Sequence, residues 1–417
     1  MGQSMSPLAH HLDVRITHVF LVALLSSFVV VELIWWFVWR EGSRLSSPLQ
    51  PKTWWQRFDA GSLGRTVLQA GFGLLWLADG LLQAQASMPH EFVPMVLQPA
   101  FVGQPAWVAN LGRFAMNLWS THAVTVDSFT VFTQLAIGLG ILLGGDSILG
   151  RIALFSSVVW GIVVWVFGEG FGGVFRQGAT WLDGAPGAVL VYIAAALLLL
   201  TLPPPRWDDR VVGRWVLRGV GVTMVLSGLL QALPQEGFWH GNSLVKVFTS
   251  AASNHQPRFL SAPIVSVADL AKADPWIVNL VSVIIPIVVG FLLLYWRFSH
   301  LAVVTASLWL FATWWFGMDF GVIGGSGTDP NIALPVGVFL FVGWIGWRQS
   351  LARSEGLPLR AAAEERVAGF RGEERASSRL LWLLRHPVRT WLTAAMAGAA
   401  LWSAVAVIDS LSKVARF

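Results

Sequence analysis

The sequence predicts an all-α integral membrane protein with about ten transmembrane helices, arranged as two tandem parallel four-helix units plus flanking helices. Three observations predict it. Of 417 residues, 55% are apolar and only 12% charged, more apolar surface than a soluble domain of this length hides. Long uncharged runs recur, each near the roughly 20 residues that a helix rising about 1.5 Å per residue needs to cross a bilayer core. A block of sequence also recurs at an almost constant offset.

The first run, from Thr17 to Trp39, follows a polar tail with His10, His11 and Asp13. It exceeds a signal-peptide core and no small-residue cleavage site follows, so it is expected to be retained. Further runs cover 66–85, 126–145, 151–168, 187–203, 215–234, 276–296, 298–317, 332–348 and 390–408. Residues 1–65 thus form an N-terminal transmembrane helix with a basic cytoplasmic linker, and 66–203 the first four-helix unit. A basic linker over 204–214 leads to the second unit, 215–348. A charged cytoplasmic segment over 349–389 precedes the C-terminal transmembrane helix of 390–417. Between the spans, Trp107, Leu111, Phe114 and Leu118 recur at steps of four and three, which marks an amphipathic helix over Pro105 to Val124. The segment from Phe259 to Ala271 is expected to behave alike.

Basic residues resist translocation, so their distribution orients the chain. Arg40, Arg44, Lys52, Arg57, Arg65, Arg151, Arg206, Arg210, Arg214, Arg218, Arg297 and the arginines from Arg348 to Arg389 all fall on one side if the N-terminus is outside. The chain is therefore expected in the cell membrane, multi-pass, with the N-terminus outside. The basic pI of about 10.2 reflects this topology and contact with anionic membrane lipid. It implies no nucleic acid, because the charges sit in short juxtamembrane loops. Trp35, Trp36, Trp39, Trp54, Trp55, Trp314 and Trp315 lie near span ends, where an amphipathic ring anchors. The absence of Cys excludes disulfides, thiolate chemistry and iron–sulfur ligation by this chain.

The repeat carries the architecture. Gly71-Phe72-Gly73 and Gly80-Leu81-Leu82-Gln83-Ala84 match Gly219-Val220-Gly221 and Gly228-Leu229-Leu230-Gln231-Ala232 at an offset of 148. Trp165 to Gly172 matches Trp314 to Gly321 at an offset of 149. Four spans per unit, an even number, give both copies one orientation and relate them by an axis along the membrane normal. A glycine-bearing first helix ending in Gly-Leu-Leu-Gln-Ala, a long outer segment, then Phe132-Thr133-Gln134-Leu135-Ala136-Ile137-Gly138-Leu139-Gly140 resembles the DoxX/DoxD family. The likeness covers 66–203 closely and 215–348 more loosely. It implies a four-helix membrane fold and a subunit role in a thiosulfate:quinone oxidoreductase.

Polar groups inside spans are costly and default to function. Glu32, Gln69, Asp79, Gln134, Arg218 and Asn279 form the set. Asp79 leads it, lying between apolar neighbours where the second unit has Ser227; it acts in proton or quinone chemistry, or as a structural hydrogen bond. Gln83 and Gln134 join it as cofactor-binding candidates. Gly168-Glu169-Gly170-Phe171-Gly172-Gly173 fits a dinucleotide pattern, but without the strand before and helix after that the pattern requires. Its better functional reading pairs Glu169 with Asp319 and with the glycine run from Gly324 to Pro330, whose amides can converge on a ligand; the competing reading is a packed turn. His90 and His240 occupy equivalent places past the matched blocks, with Glu91 close by, and a copper or zinc site there competes with plain interfacial histidines.

Three functions follow as expectations. The first is a membrane subunit of a quinone-linked redox system, with Asp79, Glu169 and Asp319 as catalytic acids and a soluble or membrane-bound redox partner on the outer face. The alternatives are a proton-coupled permease for a small solute and a non-catalytic scaffold subunit.

Overall fold

Uncharged runs of Leu, Ala, Val and Phe leave the backbone no outside partner in an apolar setting, so each run closes its own hydrogen bonds as a helix. The computed structural model describes residues 63–240, 242–253, 258–295, 299–321 and 327–354, and contains no strand among the described residues. The expected helices over 17–39 and 390–408 lie outside the described residues. So do the linker before residue 63, the charged segment beyond Ser354, Glu32 and His10, His11, His18, His255 and His386.

Two compact units divide the chain, residues 1–346 and 347–417; of the second, only 347–354 are described. In the first, α1 spans Leu63–Gln83. The chain then turns by 93° into α2 (Met88–Phe92), a π-helical turn (Val93–Leu97) and α3 (Gln98–Phe101). Next come α4 (Ala106–Thr121), α5 (Ala123–Gly144), and α6 (Ile148–Val163) with a π-helical turn over Val164–Gly168. They are followed by α7 (Ala188–Thr201), α8 (Asp209–Ala232), α9 (Asn242–Ala252) and α10 (Arg258–Ala273). The last are α11 (Pro275–Leu294), α12 (Ser299–Phe316) and α13 (Ala333–Ser354), which passes into the second unit. Ser147, Asp208 and Asp274 cap α6, α8 and α11 by accepting from the amides of Gly150, Arg210 and Ile277.

Eight of the expected spans fall on these helices, but they are not all of spanning length. Four helices are long and apolar enough to cross a membrane: α5, α6 with its π turn, α8 and α11; α1 with its bent continuation makes a fifth. α7 is apolar throughout but has 14 residues, a rise of about 21 Å against a hydrocarbon core of about 30 Å.

Glycines set the packing of the longest pairs. α1 crosses α5 so closely that a side chain on Gly138 would meet the Gly73 carbonyl at 2.8 Å. α8 crosses α11 in the same manner, Gly290 standing 2.6 Å from the Gly221 carbonyl by the same construction. Further counterparts follow the same order along the chain. Gln83 donates to Asp127 at 2.7 Å, and Gln231 to Asn279 at 2.8 Å. The Trp165 indole donates to the Pro186 carbonyl, the Trp314 indole to that of Pro330. One apolar core, including Phe72, Trp76, Ile141, Tyr192, Leu217, Met224, Val289 and Ala306, joins α1, α5, α7, α8, α11 and α12.

Two expectations change in detail. Arg65, read as a linker charge, is buried: it pairs with Asp146 at 2.7 Å and donates to the carbonyls of Leu199 and Leu202, tying α1 to the end of α7. The α4 stripe of Trp107, Phe114 and Leu118 points outward, and Val108, Gly112 and Trp119 face the bundle instead. This face packs on the bent segment of α2 and α3, where Gly112 lets Phe101 come within 2.4 Å of where a side chain would begin.

Candidate functional site

The carboxyl end of α1, the amino end of α5, the carboxyl end of α6 and the amino end of α7 meet around a cavity of about 1370 Å³. α1 delivers Asp79 and Gln83, three and seven residues after Trp76, so the three share one helix face. α5 adds Gln134, and α7 adds Val189 and Tyr192. Asp79 is 4% exposed, Gln83 1% and Gln134 6%, yet all three line the cavity.

Glu169 reaches the same cavity by a local irregularity. Its amide bonds to the Val164 carbonyl at 2.8 Å, five residues back, and this π turn ends α6 one residue late. Gly170, Phe171, Gly172 and Gly173 then all take positive φ, reversing the chain tightly. Gly172 lies so near the Pro186 carbonyl that no side chain fits. The reversal holds Glu169 against α7, where Oε1 accepts from the Val189 amide at 3.2 Å and Oε2 lies against Gly187. Met318 makes the corresponding long-step bond to the Thr313 carbonyl, and Asp319, Phe320 and Gly321 repeat the positive φ values.

The loop between α12 and α13 contributes Thr328, Asp329 and Asn331 to the lining, and α9 contributes Ser243, Lys246, Val247 and Ser250. Asp329 accepts from the Asn331 amide at 2.6 Å, which folds the loop back on itself. Three carboxyls, Asp79, Glu169 and Asp329, therefore share one electrostatic neighbourhood. The Tyr192 phenol stands beside Asp79. Burial pushes the Glu169 carboxyl up to about 8, with the Asp329 charge adding to it. Burial raises Asp329 too, against the Asn331 amide, which favours its charged form.

Several polar atoms in this wall are buried with no hydrogen-bond partner among the described residues: Asp79 Oδ1, Gln134 Oε1, Glu169 Oε2 and Trp160 Nε1. Each is a buried polar atom in a residue of the wall, and an unmade buried hydrogen bond costs about 1–3 kcal/mol. The rest of the wall is aromatic and aliphatic, with Trp76, Phe92, Trp119 and Phe167 among its members.

The structure thus gathers Asp79, Gln83, Gln134 and Glu169 into one site. Asp319 does not join them: it is 2% exposed in the tight turn after α12, at the position matching Gly170, and lines no part of the cavity. Asp329 lines the cavity where Asp319 was expected. His90 and His240 are exposed and lie away from the cavity wall. No group of three or more His, Asp or Glu among the described residues is placed to hold a metal. The glycine pattern after Gly168 opens a single 3-10 turn, Phe171–Gly173, without a strand before it or a long helix after it. Residues 322–326 of the other glycine run lie outside the described residues.

Sequence reasoning missed Tyr192 and Trp160, and took the run from Gly324 to Pro330, which holds Asp329, for its amides and not for a carboxyl. A usable signal existed for Tyr192, one of two tyrosines and the lone phenol in an otherwise apolar run. That the Asp329 carboxyl is the group of that run nearest Glu169 depends on the tertiary fold. Comparison with protein-family models, curated proteins and solved structures finds no match to this chain.

Proposed function

We propose that this chain is the membrane-embedded subunit of a redox system and binds a lipid-soluble quinone in the cavity beside Asp79. One observation carries the reading: a carboxyl cluster and unpaired polar atoms line one side of a cavity otherwise walled by aromatic and aliphatic side chains. A quinone head has two carbonyl acceptors on an apolar ring. Trp160 Nε1 and the Tyr192 phenol are donors for them, and a carboxyl in its neutral form is a third. Quinone reduction takes up two protons with two electrons. Asp79, Glu169 and Asp329 are the proton-holding groups for that exchange, and a soluble or membrane-bound redox partner on the outer face is the electron source.

The frame for this site is the tandem architecture expected from the sequence: about ten spans, two parallel units, the N-terminus outside in the cell membrane, and a DoxX/DoxD-like ancestry. The repeated glycine crossings, glutamine pairs and Trp-to-Pro bonds support the duplication. The acids then divide unequally, Asp79 against Ser227 and Glu169 against Met318, so the working cavity belongs to the first unit.

A proton-coupled permease for a small solute is the second reading. It is favoured by the polar rim of Arg176, Asp183 and Lys246 on the same cavity, which offers a water-side opening. The test is purification in native-lipid discs followed by extraction of bound quinone. Wild type is expected to carry quinone, and Asp79→Asn to lose it by about tenfold at unchanged protein yield, the loss of roughly one strong hydrogen bond. Absence of quinone together with proton-driven solute uptake in liposomes replaces this reading with the permease; absence of both leaves the scaffold.

A further inference from the structure

The cavity wall is not uniform in what it presents. On one side are the carboxyls, and beyond them the polar rim of Arg176, Asp183, Lys246 and Ser250. On another side the lining includes Met95, Val102, Phe114, Leu118, Phe129 and Val163, every one of them an exposed large apolar side chain. A residue that both lines a cavity and is exposed marks an opening. These six come from the bent segment after α1, from α4, and from the adjoining ends of α5 and α6. α5, and α6 with its π turn, are each long and apolar enough to cross a membrane. Two ring pairs brace this side, Phe114 with Phe167 at 6.0 Å and Phe129 with Trp160 at 5.7 Å.

We infer that this apolar opening is a lateral portal to the bilayer, and that the site takes an amphipathic lipid-phase ligand whose hydrocarbon tail passes between Phe114 and Phe129 while its polar head lies against Asp79 and Gln134. Water does not favour such an opening, since a contiguous apolar rim on a solvent-facing cavity marks an apolar occupant. The outward stripe of α4 has the same explanation: Trp107, Phe114 and Leu118 continue the apolar surface away from the opening. The tail is the occupant that fits, because the opening sits on spanning helices and the polar atoms lie deeper in the same cavity. This inference rests on the quinone reading for the identity of the head alone.

The chain has no Cys, so Val163→Cys is a single handle on the portal, at a position already 36% exposed. The experiment compares this variant, unlabelled and carrying a bulky maleimide, in lipid discs. Two quinone analogues with one ring are offered, one with several isoprenoid units and one without a tail. The label is expected to slow association of the tailed analogue by about tenfold or more and to leave the tailless one unchanged. Equal rates for the labelled and unlabelled protein, or equal slowing of both analogues, overturn the portal while the quinone reading stands. If neither analogue binds the unlabelled variant, the quinone reading fails, and a phospholipid with a photoreactive group at its chain end decides the portal. Cross-links to the Phe129 or Trp160 peptides uphold it, and their absence overturns it.

Discussion

Glu169 accepts one backbone hydrogen bond, keeps its other oxygen buried, and faces a second acid. Folding therefore raises its affinity for a proton from the ordinary 4.5 to about 8, and the folded protein holds a proton there that the unfolded chain releases. Stability from this group is complete below about 4.5 and declines as pH rises toward 8. Thermal midpoints of the detergent-solubilised protein should fall across that window, and those of Glu169→Gln should fall less; identical slopes would show that Glu169 does not titrate there. The pair Gln83 and Asp127 offers a second test. Gln231 makes the same bond to Asn279, so an amide suffices as acceptor. Asp127→Asn should change stability by less than about 1 kcal/mol, whereas Gln83→Leu should cost about 1–3 kcal/mol by stranding a buried carboxyl. A larger loss for Asp127→Asn than for Gln83→Leu would point to a role for the charge itself.

Helix contacts depend on which glycines are crossed, although the sequence presents them alike. A methyl on Gly138 would lie 2.8 Å from the Gly73 carbonyl and 2.9 Å from the Leu77 amide, both backbone atoms that cannot turn aside. Gly138→Val should cost about 1–3 kcal/mol or abolish a monodisperse peak in size-exclusion chromatography. Gly219 belongs to the same repeated motif but has nothing within 4 Å of its would-be side chain. Gly219→Ala should be neutral, or stabilise by up to about 1 kcal/mol through helix propensity. Equal damage from both would mean that the α1–α5 crossing is not the tight one. The helix positions were legible because uncharged runs must fold their own backbone bonds. The lengths of α7 and α12 were less so, since Gly187 and Gly317 end or delay helices by turn geometry that hydropathy does not register.

For the whole molecule, the orientation predicted from the basic residues puts Ser253, after α9, outside and Ser147, between α5 and α6, inside. Both are exposed, and the chain has no native cysteine to confuse the labelling. Cysteine at 253 should react with an impermeant thiol reagent on intact cells, and cysteine at 147 only after lysis; the reverse pattern would invert the topology.

Composition and the spacing of charge determined that this is a helical chain suited to a membrane, because more than half its residues are apolar and most of the charges fall between runs. The repeat and the buried polar exceptions were legible for the same reason: a glycine that must be crossed and an acid that must be buried are each local in sequence. Asp79, Gln83, Gln134 and Glu169 were found this way. That they share one cavity, that Asp329 completes it in place of Asp319, and that Tyr192 and Trp160 face it were decided only by the tertiary structure. The one-residue offset between Glu169 and Asp319 in the repeat puts the second acid into a left-handed turn, while a loop far along the chain brings Asp329 to the cavity. Which side chains meet depends on helix crossings and loop reversals, and these are set by close packing between segments hundreds of residues apart, which no local pattern encodes.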